Sequence, residues 1–551
     1  MRLVSGDPAI MRPALLVLLL AAANTESTVT PPEDNTGLKF IIAFPENIAY
    51  YYPILPENKV QITAMHDQTK VTITAHPDHS TVMTLGAGAT LDIPIDNRKE
   101  MWRSETVYDR SVQITSTKNI TVLAISQKSN SMQTALVIPT DRLGTKYLIP
   151  LVPVIQGTTA PANIVTTDVT ERGPFRLIII NADEENTVTV EGADTQVVSL
   201  QPHQISQMWL KENRTLRTVT ATQPVAVLFG HACAIRHNCT CGQLYTSLQP
   251  ATEKKLKFYI PPVLAKDAED EPLVLLTEKD SSKVKAFNPD SPLVEAAGTA
   301  IFYRPGLLLT LIPETDFAAC YVISSIPDTE SFAVIVVHKD FIDGVHVNSA
   351  LLEDADWQEL KGTDYVSALT GVASGKSVIW HSSSKMAVYF VGNKEGTLFG
   401  NPAPIISTSP DFRGCILSPG VLKIGEVANG WRESLKYCRD NGLELVSFPE
   451  AQLQRQLYEK ILQAKNSSMQ VVWIGLRRSS QSGEWYWLNK AAVSDTNWGE
   501  GEPGTVHDGQ CAIMSLEKGH DFGWSDEDCC KAAHPVCYKE PVLFPIDGST
   551  I

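Results

Sequence analysis

The sequence is short of basic charge, of long apolar runs and of helical periodicity. Lysine and arginine number 46 against 62 aspartates and glutamates, a formal net charge of −16. A nucleic-acid footprint needs a clustered basic surface, and adhesion to anionic membranes needs the same, so both are excluded as principal functions. The acidity reads instead as a source of solubility. Beyond the first two dozen residues no segment is long and apolar enough to span a bilayer, and the tail Phe544 to Ile551 carries no anchor pattern. His-Glu-x-x-His, a Gly-x-Ser-x-Gly elbow and a phosphate-cradling glycine loop are all missing, so no enzyme is expected. Paired acids such as Glu184-Glu185 sit in turn-like contexts and read as solvated turns.

What is present points outward from the cell. Arg12 precedes a ten-residue apolar run, Ala14 to Ala23, and polar residues follow at once. That is too short to span and ends on small residues, so 1–23 read as a signal peptide, with Met11 an alternative start. Export makes ten cysteines a disulfide framework. It also opens four glycosylation sequons, at Asn119, Asn213, Asn238 and Asn466. At 551 residues the chain is too long for one core, and two to four units are expected.

After a polar lead-in (24–37), residues 38–400 are β-rich. Short β-branched runs such as Val71-Thr72-Ile73-Thr74 and Arg176-Leu177-Ile178-Ile179-Ile180 alternate with Gly, Pro, Asn and Asp. Ile114 to Ala124 resembles Val219 to Phe229; each reads as a strand, a polar turn and a buried strand. Tyr321–Ser325 followed by Phe332–Val336 resembles both, and His381 to Phe390 is a shorter echo. Recurrence about every hundred residues suits tandem β-sandwich-like units, while repetition alone equally suits a propeller-like closed array.

His231, Cys233, His237, Cys239 and Cys241 place five zinc-ligand types in eleven residues. In an oxidising compartment a disulfide-tied surface loop is the expectation, with Cys233–Cys241 and Cys239–Cys320 as pairings, although the residues leave that choice open. Asp141-Arg142-Leu143-Gly144-Thr145-Lys146-Tyr147, Pro224 to Cys233, and Cys241 with Leu248-Gln249-Pro250 resemble the N-terminal region of the IgG Fc-binding protein family. The resemblance runs diffusely over 38–400. It implies an extracellular β-rich module of mucus or innate-defence settings, but it does not transfer Fc binding, because no residue-level motif carries it over; mucins or immunoglobulin are partners only on the rival reading in which the β-region binds.

Residues 401–413, rich in Pro and Ser, read as a linker. Beyond it, 414–540 hold six of the ten cysteines and six of the ten tryptophans, and 541–551 read as a tail. Trp431 to Cys438 reads as a helix stopped at Asn441-Gly442. Leu443–Phe448 reads as a strand, and Leu453, Leu457 and Ile461 mark the buried stripe of a second helix opened by Pro449. Trp473-Ile474-Gly475-Leu476, Asn497-Trp498, Glu502-Pro503, Cys511, Trp524-x-Asp526-x-x-Cys529 and Cys537 then resemble the C-type lectin-like domain, an α+β fold. The resemblance implies Cys438–Cys537 and Cys511–Cys529, leaving Cys415–Cys530 as a third bridge. Trp473, Trp485, Trp487 and Trp524 fall at the fold's signature positions and are expected to pack its core.

Sugar-binding members hold Ca²⁺ through about five side-chain groups, as a hard cation needing six to eight oxygens requires. Glu502 and Asp526 stand at ligand positions and form a degenerate calcium site. Gly504, Gly509 and Ser525 replace the other expected ligands, and Arg477-Arg478 stand where an auxiliary site would need acids. Binding largely without calcium is therefore the expectation. Trp498, Glu502, Asp508, Gln510 and Asp526 are the candidate ligand-binding residues, with His507, His520, Phe522 and Trp524 completing a mixed aromatic and acidic face. The expected partner is a glycan or an extracellular protein. A calcium-dependent lectin using Glu502, Asp508 and Asp526 is one rival, and a structural mucus component binding through the β-region is another.

Overall fold

The polar stretch Ser116-Thr117-Lys118-Asn119 does not turn the chain. In the computed structural model it lies inside one strand, Val112–Lys128, of 17 residues. The structure describes residues 34–49, 54–153 and 174–546, apart from 77–78, 130, 211–215, 236–240, 267, 269–270, 305, 467–468, 506, 508 and 518. The expected signal peptide and most of the lead-in lie outside these. The first part of the long strand pairs antiparallel with Gly37–Ile42 and Thr69–His76. Its second part pairs with Glu57–Ala64 and Ser131–Val137. The polar residues mark where the strand leaves one set of partners for the other, so their side chains meet solvent while both ends are buried.

Leu216–Ile235 repeats this plan. Its first half pairs with Gly144–Leu148 and Asn186–Gly192, its second with Phe175–Asn181 and Cys241–Ser247. In a third, trimmed unit Leu256–Tyr259 pairs with Leu293–Ala296, and Leu273–Leu276 pairs with Lys283–Ala286 and Ala300–Arg304. Leu307–Thr310 closes that unit against Ala300–Arg304. In the fourth, Cys320–Ser324 pairs with Lys376–His381, and Glu330–His338 pairs with Tyr365–Gly371 and Met386–Lys394. Thr397–Pro402 closes it against Met386–Lys394. A tyrosine marks equivalent positions. Tyr147 Oη donates to Val225 O (2.7 Å) and accepts from Gly144 N, while Tyr321 Oη donates to Met386 O (2.6 Å) and accepts from Ala318 N.

Two expectations about the repeat need correction. Tyr321–Ser325 and Phe332–Val336 match the first two strands of a unit, not its long strand; the long-strand equivalent is the stretch around His381 to Phe390. The spacing is also uneven, because the third unit lacks one hairpin. The first error has a physical cause: β-branched runs resemble one another wherever they sit in a sheet.

The four closing strands meet in a ring. Gln133 Nε2 donates to Tyr245 O (2.8 Å) between the first and second units. Thr246 and Thr310 hydroxyls share a hydrogen bond (2.6 Å) between the second and third. Leu307–Thr310 lies beside Thr397–Pro402. Thr134 Oγ1 donates to Asn401 Oδ1 (2.7 Å), joining the fourth unit to the first. Of the two β-arrangements the sequence allowed, the closed, propeller-like array is the one formed. A cavity of about 560 Å³ opens where the closing strands end, lined by Ile138, Pro250, Ile312 and Ala403 among others.

The segment 401–413 is not a free linker. Asn401 is 2% exposed, Ile405–Ser407 adds a strand beside Cys320–Ser324, and Asn35 exchanges hydrogen bonds with Ile405 (2.8 Å each). Arg413 then clamps the buried Asp411 carboxylate with two 2.9 Å hydrogen bonds. Burial alone would raise the Asp411 pKa, but these hydrogen bonds outweigh it and hold it low. The tail is also structural: Val542–Leu543 pairs with Ile416–Ser418, and Phe544 packs with Cys320, Trp380 and Cys415.

In the C-terminal module α1 spans Trp431–Asp440, burying Trp431, Ser434 and Cys438, and Gly442 (φ +71°) ends it. Of the expected Leu443–Phe448 strand, Glu444–Leu445 forms the ladder with His534–Lys539, and Val446 N adds a hydrogen bond to Val536 O (2.9 Å). The second helix, α2, covers Ala451–Ala464 and buries Leu453, Leu457 and Ile461 as the stripe predicted. The central strand Val471–Arg478 pairs with Cys511–Ser515, which pairs in turn with Trp524–Glu527.

Candidate functional site

The disulfides fix the frame of the C-terminal module. Cys438–Cys537 joins α1 to the last long strand, His534–Lys539, and Cys511–Cys529 closes an 18-residue separation. Cys415 does not bond Cys530. It bonds Cys320 of the fourth β-unit, because both lie at 0–1% exposure in the junction core, their Cα atoms 5.6 Å apart. That also removes the Cys239–Cys320 pairing. Cys530 is left exposed and unpaired. The side chains of Cys233, Cys239 and Cys241 lie outside the described residues, so the Cys233–Cys241 expectation does too.

Strand alternation brings the candidate residues together. Trp524 and Asp526 both point inward from Trp524–Glu527. Across the neighbouring strand Arg478 sits with its backbone N–H on Gln510 O (2.9 Å). Its guanidinium donates to Thr505 O (2.7 Å) and Gly504 O (3.0 Å) and lies 3.9 Å from Asp526 Oδ2. The two side chains are 6% and 1% exposed. Gly504 N–H donates to Asp526 Oδ1 (2.8 Å), and the half-buried Glu502 stands beside them. Burial first, then the facing Asp526 carboxylate, raises the Glu502 pKa.

These residues do not fit a calcium ion. The carbonyls of Gly504 and Thr505, which could have served a hard cation, are turned onto a guanidinium that faces Asp526. Gly509 is buried, and a Cβ there would lie 2.3 Å from Glu527 N, so the loop leaves no room for an acidic ligand at 509. A divalent cation would have to displace Arg478, a buried group with a fixed charge. Asp508 lies outside the described residues.

The expected aromatic face is mostly core. Trp473, Trp487 and Trp524 are fully buried and Trp485 half-buried. Trp498 packs on Trp485 and Trp524, at centroid distances of 4.8 and 5.8 Å, and Phe522 stacks on Tyr458 at 4.3 Å. His507 and His520 are exposed, and Gln510 is half-buried. What faces outward around the long loop is therefore polar: Glu502, Thr505, His507 and His520. Sequence reasoning missed Arg478 as the organiser of this loop, although the pair Arg477-Arg478 was its signal. Of the sequons, Asn119 and Asn466 are exposed, while Asn213 and Asn238 lie outside the described residues.

Comparison with known proteins agrees with this frame. Residues 427–539 match the family model described as Lectin C-type domain. C-type lectin lectoxin-Phi1 of Philodryas olfersii is 30% identical over 110 residues, covering 19% of this chain and 69% of that protein. The chain belongs to the C-type lectin family. C-type mannose receptor 2 of Homo sapiens is 32% identical to the lectin domain over 111 residues, 20% of this chain and 7% of that one. Residues 133–303 match the model described as IgGFc binding protein. The Homo sapiens IgGFc-binding protein is 24% identical over 376 residues, 60% of this chain, of which this chain spans only 7%. Both matched families are binding families and not enzymes. Among the described residues no helix is long and apolar enough to cross a membrane.

Proposed function

We propose that this is a secreted recognition protein of mucosal or innate-defence settings. A ring of four β-units carries one lectin domain, which binds a glycan or an extracellular protein without calcium. The observation that carries the reading is Arg478: its guanidinium takes up the Gly504 and Thr505 carbonyls and balances Asp526, so the long loop is ordered with no metal. The binding face on this reading is Glu502, Thr505, His507 and Gln510, with Asp508 beside them in sequence. Six paired cysteines among the described residues support an oxidising, extracellular setting.

The test is a glycan array probed with the full chain, once with calcium and once with EDTA. The full chain is needed because Cys415 is bonded outside the lectin domain. Signal that survives EDTA supports the proposal, and signal lost with the metal overturns it in favour of a calcium-dependent lectin. No signal in either condition assigns the face to a protein ligand. A second reading, that the β-ring itself binds immunoglobulin or mucin, is favoured by the likeness of 133–303 to a protein named for Fc binding. Capture by immobilised Fc, undiminished by substitutions in the lectin loop, would support it.

A further inference from the structure

Trp102 is 63% exposed, yet the loop that carries it is held tightly. Gln207 Nε2 donates to both the Trp102 and the Ser104 carbonyl (2.8 Å each), and Tyr108 Oη, 3.0 Å from the first and 2.7 Å from the second, gives its one proton to this pair. Trp209 Nε1 donates to the next carbonyl, Arg103 O (2.9 Å), and Arg103 pairs with Glu46 (3.0 Å). Arg110 stacks its guanidinium 4.4 Å from the centre of the Trp102 ring and is itself tied to Glu100 O (2.6 Å). An apolar side chain of this size on a loop fixed by so many hydrogen bonds forms a flat, pre-organised platform.

Two cations of this stretch, Lys99 and Arg110, stand outside any direct ion pair among the described residues. The Lys99 ammonium makes no hydrogen bond or direct ion pair among the described residues; burial first, then the nearby Arg110, lowers its pKa, against an opposing pull from the Asp109 and Asp96 carboxylates. The carboxylates of the same stretch keep their charge, but each is held by a hydrogen bond or ion pair of its own. Asp96 pairs with Arg98 (2.6 Å), and Glu100 accepts from Asn47 N and Asn58 Nδ2. Glu105 accepts from Trp209 N, and Asp109 from Gln204 Nε2. Arg110 thus lies on an exposed indole with the Lys99 ammonium near the guanidinium, on a chain whose net charge is −16.

The geometry points to a second binding surface, on the first β-unit, for an acidic saccharide: a pyranose ring stacked on Trp102, with its sulfate or carboxylate held by Lys99 and Arg110. A protein partner anchored by a tryptophan normally buries it in a pocket, whereas a pyranose presents a flat C–H face that an open indole can cover. A guanidinium fork suits either acid group.

The experiment uses the full chain, in EDTA, over biosensor surfaces bearing a sulfated hexasaccharide, a sialylated hexasaccharide and the uncharged counterpart of each. Binding is expected to at least one acidic surface and to neither neutral one, weakening as salt rises. The responding arm identifies the acid group. Trp102→Ala and Lys99→Gln are each expected to weaken it roughly tenfold, and Lys257→Gln, on the exposed surface of the third unit, to leave it unchanged. Retained far-UV circular dichroism, with partial binding kept by Trp102→Phe, excludes misfolding as the cause. No binding to either acidic surface, equal binding to the neutral ones, full binding by Trp102→Ala, or equal competition by an acidic peptide would each overturn the proposal.

Discussion

Arg478 and Asp526 form a buried ion pair, with 3.9 Å between Nη1 and Oδ2, in the long loop of the lectin domain. Around it two carbonyls, one backbone N–H and a second carboxylate converge. Removing one partner of a buried pair leaves the other charge unsolvated, which costs more than the pair itself contributes. Arg478→Gln is therefore expected to destabilise the domain by about 3–5 kcal/mol. Arg478→Lys should fall between the two, since it keeps the charge and loses the fork to Gly504 and Thr505. Thermal unfolding followed by tryptophan fluorescence reads this directly, and an unchanged Tm in Arg478→Gln would discard the pair as the organiser of the loop.

Calcium should be without effect on the same transition. A ligand that binds only the folded state raises its stability by RT ln(1 + [L]/Kd). Millimolar calcium is expected to leave Tm where EDTA leaves it. A calcium-dependent rise would mean that the ion displaces Arg478.

Glu502 gives the loop a pH dependence of known sign. Its pKa is raised in the folded state, so its contribution to stability is complete below the unfolded value of about 4.3 and is lost as pH rises through the folded value. Glu502→Gln removes that loss. The variant should be at least as stable as the parent at neutral pH, with the difference vanishing in acid, in melting curves taken across that window. A difference that grows in acid would contradict the assignment.

Cys415→Ser should loosen the junction between ring and lectin domain. The bond closes a separation of 95 residues, and loss of a native disulfide typically costs about 2–5 kcal/mol. Limited proteolysis should then cut between 405 and 420, a stretch otherwise held by Ile405–Ser407, Arg413 and Phe544. Equal protease resistance in variant and parent would show that the noncovalent contacts suffice.

Much of this was legible in the sequence, and the rest failed for identifiable reasons. The lectin domain announced itself because helix stripes, tryptophans and cysteines fall at many mutually constraining spacings. Leu453, Leu457 and Ile461 could hardly be read otherwise. The β-ring gave its class but not its register, since Tyr321–Ser325 and Val219–Ala221 differ by position in a unit and not by chemistry. Cys415 was misassigned because proximity within a module is visible in sequence, while a partner 95 residues away in another module is not. Glu502 and Asp526 were found as acids at ligand positions. That a guanidinium would face Asp526 depended on side-chain direction, which spacing alone does not carry.

The hydrogen bond from Thr134 to Asn401 joins the first unit to the fourth, and it changes what kind of object the β-region is. In an open array of repeats each copy leans on its neighbours and an outermost copy can be shed with only local loss. Here no copy is outermost. Deleting any one of the four would leave two closing strands without a flank; loss of the first would strip the buried Asn401 of its Thr134 partner. The β-region should therefore melt as a unit, and lineages carrying it should change the length of its loops far more readily than the number of its units.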